Sequence, residues 1–308
     1  MASPLHRRGK PLRVGIYGGS FNPITNAHLN TAAELIHSKK ADEVWVTPCG
    51  PRPDKASLTV STLDRYVMCQ LAVSTTFGSR FGVKVSGIEL SRDVAMGSFS
   101  IMRSFKAAHP DKEFFFILGE DLIEGLEGWT DPECEDPARA GVMLKEENNF
   151  LVIKRPGFTV APELRASLAN FEWVSPGLEG STLVSMELSS SEIRHRFNGG
   201  RKAEEARARS SLTGSAQKAL RVNVVRERSS SGGGGGAGSA PLSPRDESSG
   251  GRPRRDSAAP SADDEVRDAM SAGNWYSEAE GLVPPAVLSH IARYRLYAEE
   301  ADAGCARC

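Results

Sequence analysis

The sequence predicts an α/β protein whose central parallel sheet carries helices on both faces. Strand-like and helix-like segments alternate through the first half of the chain, which favours a parallel sheet. The run EFFFILG, from Glu113 to Gly119, is apolar almost throughout, as in a strand buried between two helical layers. A glycine-rich turn joins the first strand to the first helix. The chain has 308 residues, enough for one large or two small domains.

The elements follow in order from the apolar pattern. Short apolar runs predict strands near residues 12–17, 43–48, 82–86, 113–118, 150–154 and 171–174. Apolar residues at helical spacing predict helices near residues 26–39, 62–75, 98–108 and 121–128. A last helix begins at Pro284 and Pro285, after which Val287 and Ile291 share one face. The stretch Asp131 to Asn149 contains acidic residues, prolines and paired asparagines, and is interpreted as a loop insertion.

The composition changes between about Gly199 and Asp263. This stretch contains the glycine run Gly232 to Gly236, many serines and isolated arginines, and large apolar side chains are scarce after Val225. Such a composition buries too little apolar surface to offset the entropy of ordering. We therefore predict four parts: a first domain over 1–198, a low-complexity, disordered insertion over 199–263, a C-terminal helical part of the same domain over 264–297, and a tail over 298–308.

Net charge, apolar runs and cysteine usage indicate which kinds of binding partner and cellular compartment to expect. The formal net charge of −1 gives no argument for binding nucleic acid or an acidic membrane. No apolar run approaches the roughly 20 residues that a membrane span needs. The basic start MASPLHRRGKPLR lacks an apolar signal core, and the five scattered cysteines do not resemble a disulfide framework. We expect a cytoplasmic protein, with the nucleus as the alternative, and no nucleic-acid or membrane partner; a homo-oligomer is an open alternative.

The turn after the first strand has the features of an anion site. Gly18, Gly19 and Ser20 end the strand, and Pro23 restrains the chain before the helix. Glycines let the backbone approach a phosphate, and the amides at a helix start point their N–H groups at it. His28 lies in the first helical turn and faces the same place. A dinucleotide-binding loop would need G-x-G-x-x-G, which GGSFNP does not supply; a histidine that only packs or caps the helix is the other alternative.

A second candidate phosphate site lies at LSSSEIR, residues 188–194. Ser189 or Ser190 suits a helix N-cap, and Glu192 follows near a capping-box position. An ordinary helix start is therefore the alternative interpretation. Arg194 lies one turn into the helix, from where its guanidinium can reach back over the amides. Hydroxyls, amides and a guanidinium together match a polyphosphate.

Between these segments, a carboxylate and a tryptophan follow the most apolar strand. Asp121, just past Gly119, can accept hydrogen bonds from ribose hydroxyls at the C-terminal end of the strand. Trp129 is flanked by Gly128 and Thr130, which suits a ring in a loop better than one in the core. A core tryptophan remains the alternative, because tryptophan side chains are largely buried on average.

Together these segments resemble the nucleotidyltransferase superfamily, and within it the nicotinamide and nicotinate mononucleotide adenylyltransferases. GSFNP followed by TNAH, ending at His28, resembles G-[ST]-F-[DN]-P followed by [HT]-x-G-H. LSSSEIR resembles [IVL]-S-[ST]-[ST]-x-[IVL]-R, and Gly119, Asp121 and Trp129 match G-x-D followed by a tryptophan. The segment Gly281 to Tyr297 resembles the terminal L-V-P…L-Y pattern. The resemblance covers about residues 12–197 and 279–297.

The resemblance implies a Rossmann-like nucleotidyltransferase fold and an enzyme. Its reaction would join ATP to nicotinamide or nicotinate mononucleotide, giving NAD or its deamido form and pyrophosphate. Mg²⁺ would bind through the ATP phosphates, with no protein side chain as a metal ligand. Pantetheine-phosphate adenylyltransferase is the alternative activity, and a non-catalytic protein that binds a partner through the basic insertion is the second alternative.

The resemblance also assigns residues to the site. Catalysis would rest on His28 and Arg194. The residues that would contact ATP are Gly18, Gly19, Ser20, Phe21, Thr25, His28, Gly119, Asp121, Ser189, Ser190 and Arg194. Those that would contact the mononucleotide are Ser20, Lys55, Trp129 and Arg155. Arg65, Met68 and Glu89 match further positions of the family pattern. From Ser100 to Ser104 the chain departs from the T-x-x-T-L run of relatives, so the choice between the two mononucleotides is not implied.

Overall fold

The computed structural model describes residues 10–154, 158–174, 188–211 and 276–297. The chain divides into two compact units, one made of Met1–Asn198 with Tyr276–Cys308 and the other of Gly199–Trp275. The described part of the first unit is an α/β layer structure. In the second unit the described residues are those of the helix that continues through Ser211. The boundaries predicted for the insertion and the tail stay predictions.

Six parallel strands form one sheet in the order β3-β2-β1-β4-β5-β6. The strands are β1 (Leu12–Gly19), β2 (Glu43–Pro48), β3 (Val83–Val85), β4 (Lys112–Gly119), β5 (Asn149–Ile153) and β6 (Phe171–Val174). All six predicted strands are confirmed, with small differences at their ends. The strand order reverses between β1 and β4, and in open parallel sheets ligands bind at the C-terminal ends of the strands at such a point.

Seven helices flank or follow the strands in the described residues. They are α1 (Asn26–His37), α2 (Thr62–Thr76), α3 (Ser98–Ala108), α4 (Ala140–Glu147), α5 (Pro162–Ser167), α6 (Ser190–Ser211) and α7 (Pro285–Arg293). The predictions of α1, α2, α3 and α7 are confirmed. With the parallel sheet, they establish the predicted Rossmann-like α/β class.

Two predictions between β4 and β5 are wrong. The stretch 121–128 is not an α-helix but holds two short 3₁₀ turns, Glu120–Leu122 and Leu126–Gly128. Glycine is a poor helix former, and Gly125 and Gly128 fall inside this stretch. The stretch from Asp131 to Asn149 is not a loop throughout, because it contains α4. This helix is stabilised by packing, since its Leu144 is buried in the core.

α6 also extends beyond its sequence-based limit. It continues through Ser211, past the boundary predicted at residue 199. The segment RKAEEARAR, residues 201–209, explains this extension, because alanine, glutamate, lysine and arginine are strong helix formers. The remainder of the predicted insertion lies outside the described residues.

The core on one face of the sheet is rich in aromatic rings. Phe150 stacks on Phe171 with ring centroids 4.2 Å apart, and Phe116 meets Phe150 edge-on at 6.1 Å. These rings come from β4, β5 and β6, and β4 leads at its C-terminal end into the predicted site residues Gly119 and Asp121. The core therefore packs against one of the strands from which that site is built. Among the described residues, no helix is both long and apolar enough to cross a membrane.

Candidate active site

The turn of residues 18–23, called the glycine turn below, follows β1 at the centre of the sheet. Gly19 ends the strand, and a Cβ atom at this position would lie 3.2 Å from the Phe21 ring, so glycine allows the ring to fold back on the strand. Phe21 itself has φ of +43°, a left-handed conformation that side-chain-bearing residues rarely adopt. The Asn22–Pro23 peptide is cis, and Thr25 is the N-cap of α1. The turn thus has a defined, unusual shape.

His28 is oriented by Thr25 within the first turn of α1. Nδ1 of His28 accepts a hydrogen bond from the Thr25 backbone N–H at 3.0 Å and lies 2.8 Å from the Thr25 hydroxyl. The rings of Phe21 and Tyr17 pack near the imidazole, with centroids 5.1 and 6.0 Å away. Because Nδ1 accepts from an amide, the neutral ring carries its proton on Nε2. His28 is thereby arranged to donate a hydrogen bond from Nε2.

The second predicted phosphate segment lies against the glycine turn. The Ser190 hydroxyl donates to the Pro23 carbonyl at 2.8 Å, and Nη1 of Arg194 donates to the Asn22 carbonyl at 2.8 Å. Ser189 accepts a hydrogen bond from the Glu192 amide at 3.1 Å, which is the predicted capping contact. The fold therefore brings together two segments that are more than 160 residues apart in sequence.

Lys55 reaches the same turn from the loop after β2. Its Nζ donates to the Ser20 hydroxyl at 3.0 Å. In the same loop, the Arg52 guanidinium donates two hydrogen bonds to Asp54 and lowers the pKa of that carboxyl to about 2. Asp54 is therefore ionised at neutral pH and already bound to Arg52. The cation that contacts the Ser20 hydroxyl from this loop is therefore Lys55, not Arg52.

One expectation about the turn is wrong. The amides at the start of α1 were expected to point at an anion, but two of them have partners within the chain. The Asn26 N–H donates to the Leu282 carbonyl at 2.9 Å, and the His28 N–H donates to the Thr25 carbonyl at 3.1 Å. The C-terminal segment accounts for the Asn26 amide, and the Asn26 side chain also donates to the Gly281 carbonyl. The His28 amide instead bonds within its own helical turn.

Gly119 and Asp121 lie at the C-terminal end of β4, the strand next to β1, and Trp129 follows later in the same connection. Gly119 ends that strand and Asp121 lies in the 3₁₀ turn that follows it. Trp129 is half-buried and meets the Phe116 ring edge-on, with centroids 6.2 Å apart. The same Phe116 ring lies 3.8 Å from the position of a Cβ atom on Gly18, which connects the tryptophan region to β1. The predicted mononucleotide residue Arg155 lies outside the described residues.

Sequence reasoning missed two buried polar residues that shape this site. The Asn22 side chain donates to the Ser57 carbonyl at 3.1 Å and accepts from the Tyr297 hydroxyl at 2.8 Å, which connects the turn to the Lys55 loop and to the C-terminal segment. Asp131 accepts from the Ser100 amide at 2.8 Å and so caps α3. The sequence signal for Asn22 is its position between Phe21 and Pro23 in the turn. If an amide side chain is buried there, it has to be hydrogen-bonded.

The arrangement offers cations and hydroxyls rather than carboxylates as ligands. Among the described residues, no group of three His, Cys, Asp or Glu side chains is placed to hold a metal ion. Lys55, Ser190 and Arg194 instead surround one turn with donors that suit phosphate oxygens. A metal ion at such a site fits best as a companion of a bound polyphosphate, since Mg²⁺ dehydrates reluctantly and is commonly held through substrate phosphates.

Comparison with known proteins identifies the family to which this site belongs. The model of the cytidylyltransferase-like family matches residues 16–196, which include the glycine turn, Trp129 and Arg194. The chain belongs to the cytidylyltransferase-like family. It is accordingly a nucleotidyltransferase, as the sequence resemblance implied. Its parallel sheet and flanking helices have the fold expected for such an enzyme.

Within this family, two similar proteins bear the same name. The chain is 33% identical over 150 residues to a "probable nicotinate-nucleotide adenylyltransferase" of Bacillus licheniformis, covering 48% of this chain and 72% of that protein. It is 32% identical over 191 residues to a protein of the same name from Shouchella clausii, covering 61% and 86%.

A solved structure with a similar fold carries the same activity in its name. It is the nicotinic acid mononucleotide adenylyltransferase of Plasmodium falciparum in complex with NaAD. The two chains are 25% identical with a TM-score of 0.50, and the likeness covers 60% of this chain and 84% of that one.

Proposed function

We propose that this nucleotidyltransferase transfers the adenylyl group of ATP to a pyridine mononucleotide, with nicotinate mononucleotide as the acceptor. The products are the deamido form of NAD and pyrophosphate, a step of NAD biosynthesis. One observation carries the proposal: His28, Lys55, Ser190 and Arg194 surround a single turn at the switch point of the sheet. The acceptor is suggested by the names of the relatives, and nicotinamide mononucleotide is the second candidate.

The reaction needs no covalent enzyme intermediate. A phosphate oxygen of the mononucleotide attacks the α-phosphorus of ATP in line, the new P–O bond forms, and the bond to pyrophosphate breaks. Such transfers depend on positioning and on stabilising charge in the transition state. The Nε2–H of His28 donates to a non-bridging oxygen of the α-phosphate, and the hydrogen bond from Thr25 to Nδ1 holds the ring in the tautomer that can do so.

The other residues bind the two ends of the reacting complex. Ser190, with Ser189 beside it, and Arg194 hold the β- and γ-phosphates of ATP and then the departing pyrophosphate. Lys55 and Ser20 hold the phosphate of the mononucleotide. Their side chains are hydrogen-bonded to each other, so they lie close enough to bind the same phosphate. Mg²⁺ bound through the ATP phosphates would neutralise part of their negative charge.

The remaining predicted contacts complete the proposal. Gly18, Gly19, Phe21 and Thr25 line the ATP phosphates, and Gly119 and Asp121 lie where the ribose of ATP would bind. The Trp129 ring stacks on the pyridine, and Arg155 binds the mononucleotide. A cytoplasmic or nuclear location and the absence of nucleic-acid and membrane partners stay predictions.

The test is a turnover assay of the full chain with Mg²⁺·ATP and each of three acceptors: nicotinate mononucleotide, nicotinamide mononucleotide and phosphopantetheine. We expect pyrophosphate and the matching dinucleotide with a pyridine mononucleotide. Turnover with phosphopantetheine alone would establish the pantetheine-phosphate activity instead. No turnover with any acceptor, in a protein that is folded by circular dichroism, would favour the non-catalytic alternative.

A further inference from the structure

Arg65 is a fully buried arginine beside the glycine turn. It lies on α2 with 0% of its surface exposed. Its partners in the described residues are carbonyl oxygens, the Thr62 hydroxyl at 3.2 Å and the Cys49 sulfur at 3.5 Å. The carbonyls belong to Ser20, Cys49, Gly50 and Val60, at distances of 2.8, 2.6, 3.2 and 3.3 Å. Burying a guanidinium is costly unless its N–H groups are satisfied, so this set of contacts fixes its position.

The Ser20 contact sets the direction of the next peptide group. In a trans peptide the C=O and the following N–H point to opposite sides. Because the Ser20 carbonyl points at the buried Arg65, the Phe21 N–H points away from Arg65. The guanidinium thus sets the direction of an amide in the turn, and backbone amides of such turns are anion donors.

A second arginine holds the other side of Phe21. Nη1 of Arg194 binds the Asn22 carbonyl, so guanidinium groups hold the peptide group before Phe21 and the peptide group after Asn22. Phe21 has φ of +43°, and a side-chain-bearing residue keeps such a conformation only where its surroundings impose it. The two arginines hold the backbone on either side of the Phe21–Asn22 pair and so contribute to that restraint.

The loop after β2 is restrained by the same guanidinium. Arg65 holds the Gly50 carbonyl, while the buried Glu89 carboxylate accepts the Gly50 N–H at 3.0 Å and the Met96 N–H at 2.7 Å. Burial raises the pKa of Glu89, and the two amides and the charge of Arg65 oppose the rise. The start of the loop that carries Lys55 is therefore held at both the N–H and the C=O of Gly50.

We infer that Arg65 is a positioning residue for adenylyl transfer, which shapes the phosphate-binding turn through the Ser20 carbonyl and the Lys55 loop through the Cys49 and Gly50 carbonyls. This inference rests on the proposed function. It predicts that Arg65 contributes to catalysis and to nucleotide binding without touching either substrate. Lysine cannot replace it, because an ammonium lacks the planar set of five donors that reaches several carbonyls at once.

The test compares Arg65→Lys with Val73→Ala, a change at a buried core position eight residues along α2. Both should lower the melting temperature. When rates are normalised to the folded fraction, Arg65→Lys should lower kcat/KM by about a hundredfold. Most of this loss should be in kcat, because displacement of the reacting groups slows the chemical step. It should also weaken Mg²⁺·ATP binding by about tenfold in calorimetry. Val73→Ala should keep both values within about threefold of the unchanged chain.

The outcomes separate the inference from the proposed function. If the unchanged chain has no turnover with either mononucleotide, the proposed function fails, and the ATP affinities still decide the role of Arg65. Equal losses in Arg65→Lys and Val73→Ala, or no loss in Arg65→Lys, would overturn the inference. If Arg65→Lys does not fold, Thr62→Val decides. This change removes one acceptor and should lower kcat/KM about threefold to tenfold, the worth of one hydrogen bond; an unchanged value would overturn the inference.

Discussion

The backbone N–H of Thr25 and Nδ1 of His28 form a 3.0 Å hydrogen bond within one turn of α1. This bond leaves the proton of the neutral imidazole on Nε2. The neutral ring then has a single N–H donor, at Nε2, whose direction is fixed by the Thr25 contact. A donor with a fixed direction is what stabilisation of charge on a phosphate requires.

His28→Ala should lower kcat by about a hundredfold or more, the scale of losing one transition-state donor, while the KM for ATP changes much less. Steady-state kinetics over both substrates measures the two constants. His37→Ala is the matched control, because His37 lies at the other end of the same helix and is exposed. A near-native kcat in His28→Ala would exclude the catalytic role.

Trp129→Leu should weaken binding of the mononucleotide and leave ATP binding unchanged. Stacking of a ring on an aromatic side chain is worth about 1–3 kcal/mol, and leucine keeps apolar contact with Phe116 while removing the ring. Calorimetric titration of each substrate gives the comparison. Trp173→Leu is the control at another partly buried tryptophan. Equal weakening of both substrates would make Trp129 a core residue and not a stacking one.

Gly97 and Asp131 should show strong coupling in stability. Asp131 accepts the Ser100 amide at 2.8 Å, and a Cβ atom on Gly97 would overlap the Asp131 carboxylate. Asp131→Ala should lower stability by about 0.5–2 kcal/mol through loss of the helix cap. Gly97→Ala should be destabilising alone but much less so when Asp131 is already alanine. Urea unfolding of the two single variants and the double variant measures the coupling, and additive effects would refute it.

Glu172 should stabilise the fold in a pH-dependent way. Burial alone would raise its pKa, but hydrogen bonds from Lys40 and Arg13 outweigh burial, and the pKa is lowered from 4.5. A lowered carboxyl pKa stabilises the folded state above the unfolded value and loses this effect as the pH falls through the folded value. The melting-temperature advantage over Glu172→Gln should therefore be full above about pH 4.5 and shrink below it. The exposed Glu124→Gln serves as control, and a pH-independent difference would contradict the assignment.

Tyr297→Phe should lower both stability and activity. Its hydroxyl donates to Oδ1 of Asn22, whose side chain is buried. Removing the donor leaves a buried acceptor unsatisfied, at a cost of about 1–3 kcal/mol. Because Asn22 belongs to the glycine turn, kcat/KM should fall together with the melting temperature. Tyr294→Phe, at an exposed tyrosine on the same segment, should change neither.

The sequence predicts the sheet well because buried parallel strands are short continuous apolar runs, as in EFFFILG. It predicts the two phosphate segments because glycines, a proline and serine caps define local backbone shape. It fails from residue 121 to Asn149, where α4 is stabilised by tertiary packing that outweighs local propensity.

Nor does the sequence reveal the long-range contacts of the site. The hydrogen bond between Asn22 and Tyr297 joins residues 275 positions apart, and the burial of Arg65 depends on carbonyls from three separate segments. An arginine on a helix is ordinarily taken as exposed, because this residue type is seldom fully buried. Only the folded chain shows that its partners are backbone oxygens.

The contacts from Leu282 and Tyr297 to the first turn of the chain also bear on synthesis. The carbonyl of Leu282 accepts the Asn26 amide, and Tyr297 donates to Asn22, so residues made late complete a turn made early. While a ribosome is still translating the residues between them, the glycine turn lacks both partners. The nascent chain can therefore form its central sheet before this turn is complete, and the turn reaches its final set of contacts only after Tyr297 has been translated.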